Sequence, residues 1–114
     1  MSLQQHLRVR VTREQDIAVV HLDGELDLAS APALTAEIDS PQVAAGAKLV
    51  LDLRELQFID STGLRTIFTA RASARERGQE FAVTEGSAQV QRLLAITGVG
   101  DHLRVVGSPQ EMLA

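Results

Sequence analysis

The chain has 114 residues, 45% of them apolar and 23% charged, with a formal net charge of −4 and no cysteine. That length supports one hydrophobic core and not two. The acid excess argues against the broad basic surface that nucleic-acid binding requires, and the lack of cysteine removes disulfides, thiolate nucleophiles and cysteine-based zinc sites. No apolar run approaches the roughly 20 residues of a membrane span, and residues 1–11 lack the apolar stretch of a signal peptide. The expectation is a single domain over residues 1–114, located in the cytoplasm, with neither a membrane nor a nucleic acid among its partners.

Leu7, Val9 and Val11 alternate with Arg8, Arg10 and Thr12. This is the period of a half-exposed strand, and its charged side suits a sheet edge. After the turn Glu14-Gln15-Asp16, Ile17–Leu22 is apolar nearly throughout and predicts a more buried strand, paired to the first as a hairpin and closed by Asp23-Gly24. Ser30 is placed as a helix N-cap with Pro32 in the first turn. Ala31, Leu34 and Ile38 then recur at helical spacing, and Ser40-Pro41 stops that helix. Lys48–Leu53 predicts a short central strand buried on both faces, and Arg54–Thr62 a loop.

Leu64, Ile67, Phe68, Arg71, Ala72 and Arg75 follow at spacings of 3 and 4, an amphipathic helix that ends at Gly78. Glu80–Thr84 is a fourth strand. Ser87 caps a helix carrying Val90, Leu93 and Leu94, which Gly98 and Gly100 end. Leu103–Val106 is a fifth strand and Pro109–Ala114 a terminal helical stub. The order β-β-α-β-α-β-α-β-α predicts an α/β fold: one mostly parallel sheet of about five strands, with right-handed crossovers and helices packed on it.

In open sheets of this kind, ligands and partners meet the loops beyond the carboxyl ends of the strands. Phe58-Ile59-Asp60-Ser61-Thr62-Gly63-Leu64-Arg65 lies there, between a buried strand and a helix. Ser61 is expected at the helix N-terminus with its hydroxyl exposed, where the helix dipole favours a negative group, and Gly63 lets another backbone approach closely. Asp, Ser and Thr are also the preferred cap residues, and on local chemistry alone the plain cap is the favoured reading of this run. The two readings are compatible, because a capping serine can accept a phosphate.

His6, His21 and His102 fall at no metal-ligand spacing and are read as surface or strand residues. Arg71, Arg75 and Arg77 form a solvated helix face. There is no Gly-x-Ser-x-Gly elbow, no Walker-A context around Lys48, and no third glycine after Gly98-Val99-Gly100. No metal and no cofactor is expected, and no enzymatic activity.

The segment Phe58-Ile59-Asp60-Ser61-Thr62-Gly63-Leu64 resembles the signature of the STAS-domain anti-sigma factor antagonists (anti-anti-sigma factors). Gly24-Glu25-Leu26-Asp27 and Leu93-Leu94-Ala95-Ile96-Thr97-Gly98-Val99 stand where that family would have them, so the resemblance runs from about Val9 onward. It implies a STAS fold and a partner-switching cycle. The unphosphorylated protein would bind an anti-sigma factor that is itself a serine kinase and so free the sigma factor. Phosphorylation of the serine after the aspartate would break the complex, and a serine phosphatase would reset it. By position Ser61 would be the acceptor, with Thr62 as its rival. Asp60, Ser61, Thr62, Gly63 and Leu64 would form the partner surface, with Asp27 on an adjacent loop at its edge. A purely electrostatic role at a helix start is the alternative for Asp27. Within the same fold, the competing implication is a STAS subunit of a stress-signalling scaffold or a lipid-transport complex. Outside it stands a serine-dependent hydrolase or nucleotide-binding enzyme with Ser61 as nucleophile.

Overall fold

In a computed structural model, which describes residues 6–113, five strands form one sheet in the order β1-β2-β3-β4-β5. They are β1 (Leu7–Glu14), β2 (Ile17–Leu26), β3 (Lys48–Ile59), β4 (Glu80–Thr84) and β5 (Val105–Val106). The helices are α1 (Ala31–Ile38), α2 (Pro41–Ala44), α3 (Ser61–Glu76) and α4 (Ala88–Thr97), with 3-10 turns at Val99–His102 and Pro109–Met112. β1 and β2 pair antiparallel as the expected hairpin, and β2 through β5 are all parallel.

Because the parallel strands lie side by side in chain order, right-handed crossovers all pass over the same face. One face therefore carries every helix. Ala18, Val20 and Leu22 of β2 and Leu49, Leu51 and Leu53 of β3 point into it, against Leu34, Ile38, Leu64, Ile67, Val90 and Leu94. The opposite face holds Ile17, Val19, Val50, Ala82 and Val106, and among the described residues Met112 and Leu113 roof it. Lys48 is buried there, its Nζ donating to the Met112 carbonyl. Burial on both faces is why Ile17–Val20 and Leu49–Leu51 are continuous apolar runs rather than alternating ones.

Several element boundaries differ from the sequence expectation. Arg54–Ile59 is not a loop but the second half of β3, and β2 likewise runs on to Leu26. The two strands stay paired as far as Leu26↔Ile59 through register shifts between His21 and Asp23 and between Gly24 and Glu25. Such bulges insert two polar or exposed residues in a row, here Arg54-Glu55 and Gln57-Phe58, between the buried Leu53, Leu56 and Ile59. A strict period of two is lost, and with it the strand signal. Ser40 ends α1 but also caps α2, its Oγ accepting from Val43 N–H at 3.4 Å. The fifth strand shrinks to Val105–Val106. The terminal helix is a 3-10 turn at Pro109–Met112, with Ala114 outside the described residues.

Candidate functional site

The paired ends Leu26 and Ile59 bring the chain segments that follow β2 and β3 to the same edge of the sheet. After Ile59 a single residue, Asp60, connects to α3. Its backbone is extended and its carboxylate Oδ1 accepts from Gly63 N–H at 2.8 Å, the geometry of an N-cap. Ser61 is thus the first residue of the helix and is exposed, and its hydroxyl makes no side-chain hydrogen bond among the described residues. Capping falls to Asp60, and Ser61 is left unoccupied by it. Thr62 is half-buried.

Gly63 and Leu64 lie beneath this surface. A Cβ on Gly63 would stand 2.5 Å from the Leu26 carbonyl oxygen and 2.9 Å from Ile59 Cγ1, so only glycine lets α3 start this close to the end of β2. Asp60 N–H donates to the same Leu26 oxygen at 3.3 Å. Leu64 is buried in the helix-side core. Both residues hold the backbone in place and present little surface.

Asp27 follows Leu26 directly. Its Oδ1 lies 3.1 Å from both Ala29 N and Ser30 N, 3.2 Å from Ser30 Oγ and 3.2 Å from His6 Nε2. Partial desolvation pushes this carboxyl up, but the bonds from the Ser30 N–H, the His6 ring and the Ser30 hydroxyl outweigh it and hold the group below the ordinary carboxylate value. Ser30 does not cap α1 as expected. Its backbone is already helical and its hydroxyl is turned back, accepting from Asp27 N–H and lying 2.9 Å from the Glu25 carbonyl. Asp27 closes the turn instead, because its carboxylate reaches two N–H groups where a hydroxyl would reach one. Two large apolar side chains flank these loops in the open, Leu28 at 73% exposure and Phe58 at 39%.

Sequence reasoning missed what supports β3 on its other side. β4 pairs with β3 only as far as Leu51↔Val83. Beyond that point side chains replace the missing strand. Thr84 Oγ1 accepts from Leu53 N–H at 2.7 Å and Ser87 Oγ donates to the Gln57 carbonyl at 3.4 Å. The Gln89 amide then takes both Ile59 groups, accepting from its N–H at 3.0 Å and donating to its carbonyl at 3.2 Å. The available signal was a glutamine one turn before the half-buried Leu93, on a helix that starts beside the loop.

A second polar cluster occupies the helix-free face. Asp52 accepts from Arg54 Nη2 at 2.8 Å and Nε at 2.9 Å, and its Oδ2 lies 2.9 Å from His21 Nδ1, while His21 Nε2 lies 2.8 Å from Thr12 Oγ1. Burial raises the Asp52 carboxyl, but the Arg54 guanidinium and N–H, with His21, hold it far below the usual carboxylate range. Asp52, Arg54 and His21 line a groove of about 790 Å³ with Arg8, Arg10 and Asp23. Asp52 lies seven residues back along β3 from Ile59, the last residue of the strand, about 20 Å by strand rise. Among the described residues, no group of three or more His, Asp or Glu is placed to hold a metal ion, and no helix is long and apolar enough to cross a membrane.

Known proteins place this arrangement. Residues 8–112 match the family model of the STAS domain. The anti-sigma-B factor antagonist of Listeria monocytogenes is 33% identical over 112 residues, covering 98% of this chain and 96% of its own. That of Bacillus subtilis is 29% identical over 100 residues, covering 88% and 91%. Among solved structures, an anti-sigma factor antagonist from Mycobacterium paratuberculosis superimposes with a TM-score of 0.78 at 23% identity, covering 92% of this chain and 89% of that one. SpoIIAA in its unphosphorylated form gives 0.73 at 18% identity, covering 91% of each. The sheet with its helix-covered face is that of a STAS fold, and the chain belongs to the STAS domain family.

Proposed function

We propose that this protein is an anti-sigma factor antagonist of the cytoplasm, that it binds an anti-sigma factor serine kinase when unphosphorylated, and that phosphate on Ser61 switches the binding off until a serine phosphatase removes it. The observation that carries this is the division of labour at α3: Asp60 supplies the cap, so the exposed Ser61 hydroxyl is available for chemistry. Relatives of matching length that are named antagonists support the same reading.

In the transfer step the Ser61 oxygen attacks the γ-phosphorus of ATP. The bond from that phosphorus to the ADP oxygen breaks, and the hydroxyl proton passes to a base on the kinase. The antagonist needs no catalytic group of its own; it must present the hydroxyl. Ser61 is a better acceptor than Thr62, which is half-buried.

The product carries about −1.5 to −2 charges. In the free protein that charge meets the positive end of α3, favourable by about 0.3–1 kcal/mol, and is repelled by Asp60 on a comparable, water-screened scale. Inside a contact the balance changes, because the phosphate is desolvated beside Asp60 and Asp27, at a cost of several kcal/mol on the scale of like-charge juxtaposition. Leu28 and Phe58 are the apolar anchors of that contact, Ser61 and Thr62 its polar centre and Asp27 its edge, while Gly63 and Leu64 support it from below. Incubation with the kinase and radiolabelled ATP, followed by phosphopeptide mapping, tests the assignment. Label is expected on Ser61 and none on Ser61→Ala, and label on Thr62 or Ser87 instead would refute it.

A further inference from the structure

We propose that Gln89 is a positioning residue for Ser61, with its side-chain amide serving as the missing sheet neighbour that fixes the acceptor loop. The proposal rests on Ser61 being the acceptor and adds how its position is set.

Every backbone N–H and C=O in a strand buried between neighbours needs a partner. On its β2 side β3 is paired along its length to Ile59, but on its β4 side the ladder stops at Leu51. Thr84, Ser87 and Gln89 then take backbone groups of Leu53, Gln57 and Ile59, and Gln89 is the only one of the three to take two. The N–H and C=O of one extended residue point to the same side of the strand, so a carboxamide meets both as a neighbouring strand would. The residue so held is Ile59, the last of the strand.

From there to Ser61 only Asp60 intervenes, and it is pinned from the opposite side by its N–H bond to the Leu26 carbonyl. The acceptor therefore hangs between two clasps, α4 through Gln89 and β2 through Leu26. Phosphoryl transfer demands an oxygen in line with the phosphorus, and a misplacement of about 1 Å costs on the order of a hundredfold in rate. Docking through the exposed Leu28 and Phe58 makes no such demand. Loss of the Gln89 clasp should thus lower the turnover of Ser61 phosphorylation while leaving its KM in place.

The test uses two variants of the full chain. Gln89→Met keeps length and packing but makes neither hydrogen bond, and Gln89→Glu keeps an acceptor for Ile59 N–H but cannot donate to its carbonyl near neutral pH. Gln91→Met, which removes the bond from Gly86 N–H to Gln91 Oε1 on the same helix, is the control. Amide exchange at Ile59 and Asp60 should rise at least tenfold in Gln89→Met and less in Gln89→Glu. The kcat for phosphorylation by the anti-sigma factor kinase with ATP should fall about tenfold in Gln89→Met, recover partly in Gln89→Glu and stay unchanged in Gln91→Met, with KM constant. Faster exchange with unchanged kcat, or an equal loss in Gln91→Met, overturns the positioning role while Ser61 remains the acceptor. Absence of label on the wild-type protein overturns the acceptor assignment and this proposal with it.

Discussion

Asp60 Oδ1 stands 2.8 Å from the amide nitrogen of Gly63, and that one contact separates the structural from the chemical work at the start of α3. The aspartate satisfies a helix N–H that would otherwise face outward without a partner. The serine beside it is spared.

Stability should follow the same division. Asp60→Ala removes the cap and should cost about 1 kcal/mol, lowering the melting temperature by about 4–8 °C for a domain of this size. Ser61→Ala should stay within about 0.5 kcal/mol of the wild type, as exposed substitutions usually do. Equal losses in thermal unfolding would show that Ser61 shares the cap.

Gly63→Ala tests the contact between β2 and α3. A methyl group 2.5 Å from a backbone carbonyl forces the two elements apart, and overpacking of this kind costs about 1–3 kcal/mol. Calorimetric unfolding should show that loss, and the separation should also slow phosphorylation of Ser61. A wild-type melting temperature would mean that the close approach is not required.

Much of this was legible in the chain, and the remainder was hidden for identifiable reasons. The α/β order and the sheet could be read because strands buried on both faces leave apolar runs, as Leu49–Leu51 does, and because α3 and α4 begin at cap residues. The second half of β3 was hidden because its bulges replace alternation with the doublets Arg54-Glu55 and Gln57-Phe58. The position of Ser61 could be read from the loop motif, but the cap could not be assigned between Asp60 and Ser61 until the distance to Gly63 decided it. Gln89–Ile59, His21–Asp52 and Thr12–His21 are contacts between residues 30, 31 and 9 positions apart, for which a single sequence carries no periodic signal.

Acid should weaken the protein through Asp52. Its carboxyl is held well below its unfolded value of about 3.9, so the stabilisation is complete above that value and is lost as pH falls through it toward the folded-state value. Asp27, also lowered, adds to the same window. Urea unfolding between pH 6 and about pH 3 should show stability falling on the acid side, with a shallower fall in Asp52→Asn. An identical slope in that variant would place the acid sensitivity elsewhere.

Binding should depend on the two exposed apolar residues that flank the Ser61 and Asp27 loops. Leu28→Asp and Phe58→Ala should each weaken the complex with the anti-sigma factor by about tenfold or more, the scale of a buried apolar anchor. Their melting temperatures should stay within a few degrees of the wild type, because neither side chain belongs to the core. Unchanged affinity in both variants, measured by calorimetry, would move the partner surface away from these loops.

The central claim is that phosphate on Ser61 ends partner binding at the surface and leaves the fold as it is. Titration of the anti-sigma factor kinase with unphosphorylated and Ser61-phosphorylated protein, each checked by amide chemical shifts, tests it most directly. The affinity should fall by at least a hundredfold, the equivalent of about 3 kcal/mol, with shift changes confined to residues 58–67, Asp27 and the adjoining Gln89. Equal affinity of the two forms would contradict the switch, and shift changes spread through Val90–Ile96 and Lys48–Leu53 would contradict its confinement to the surface.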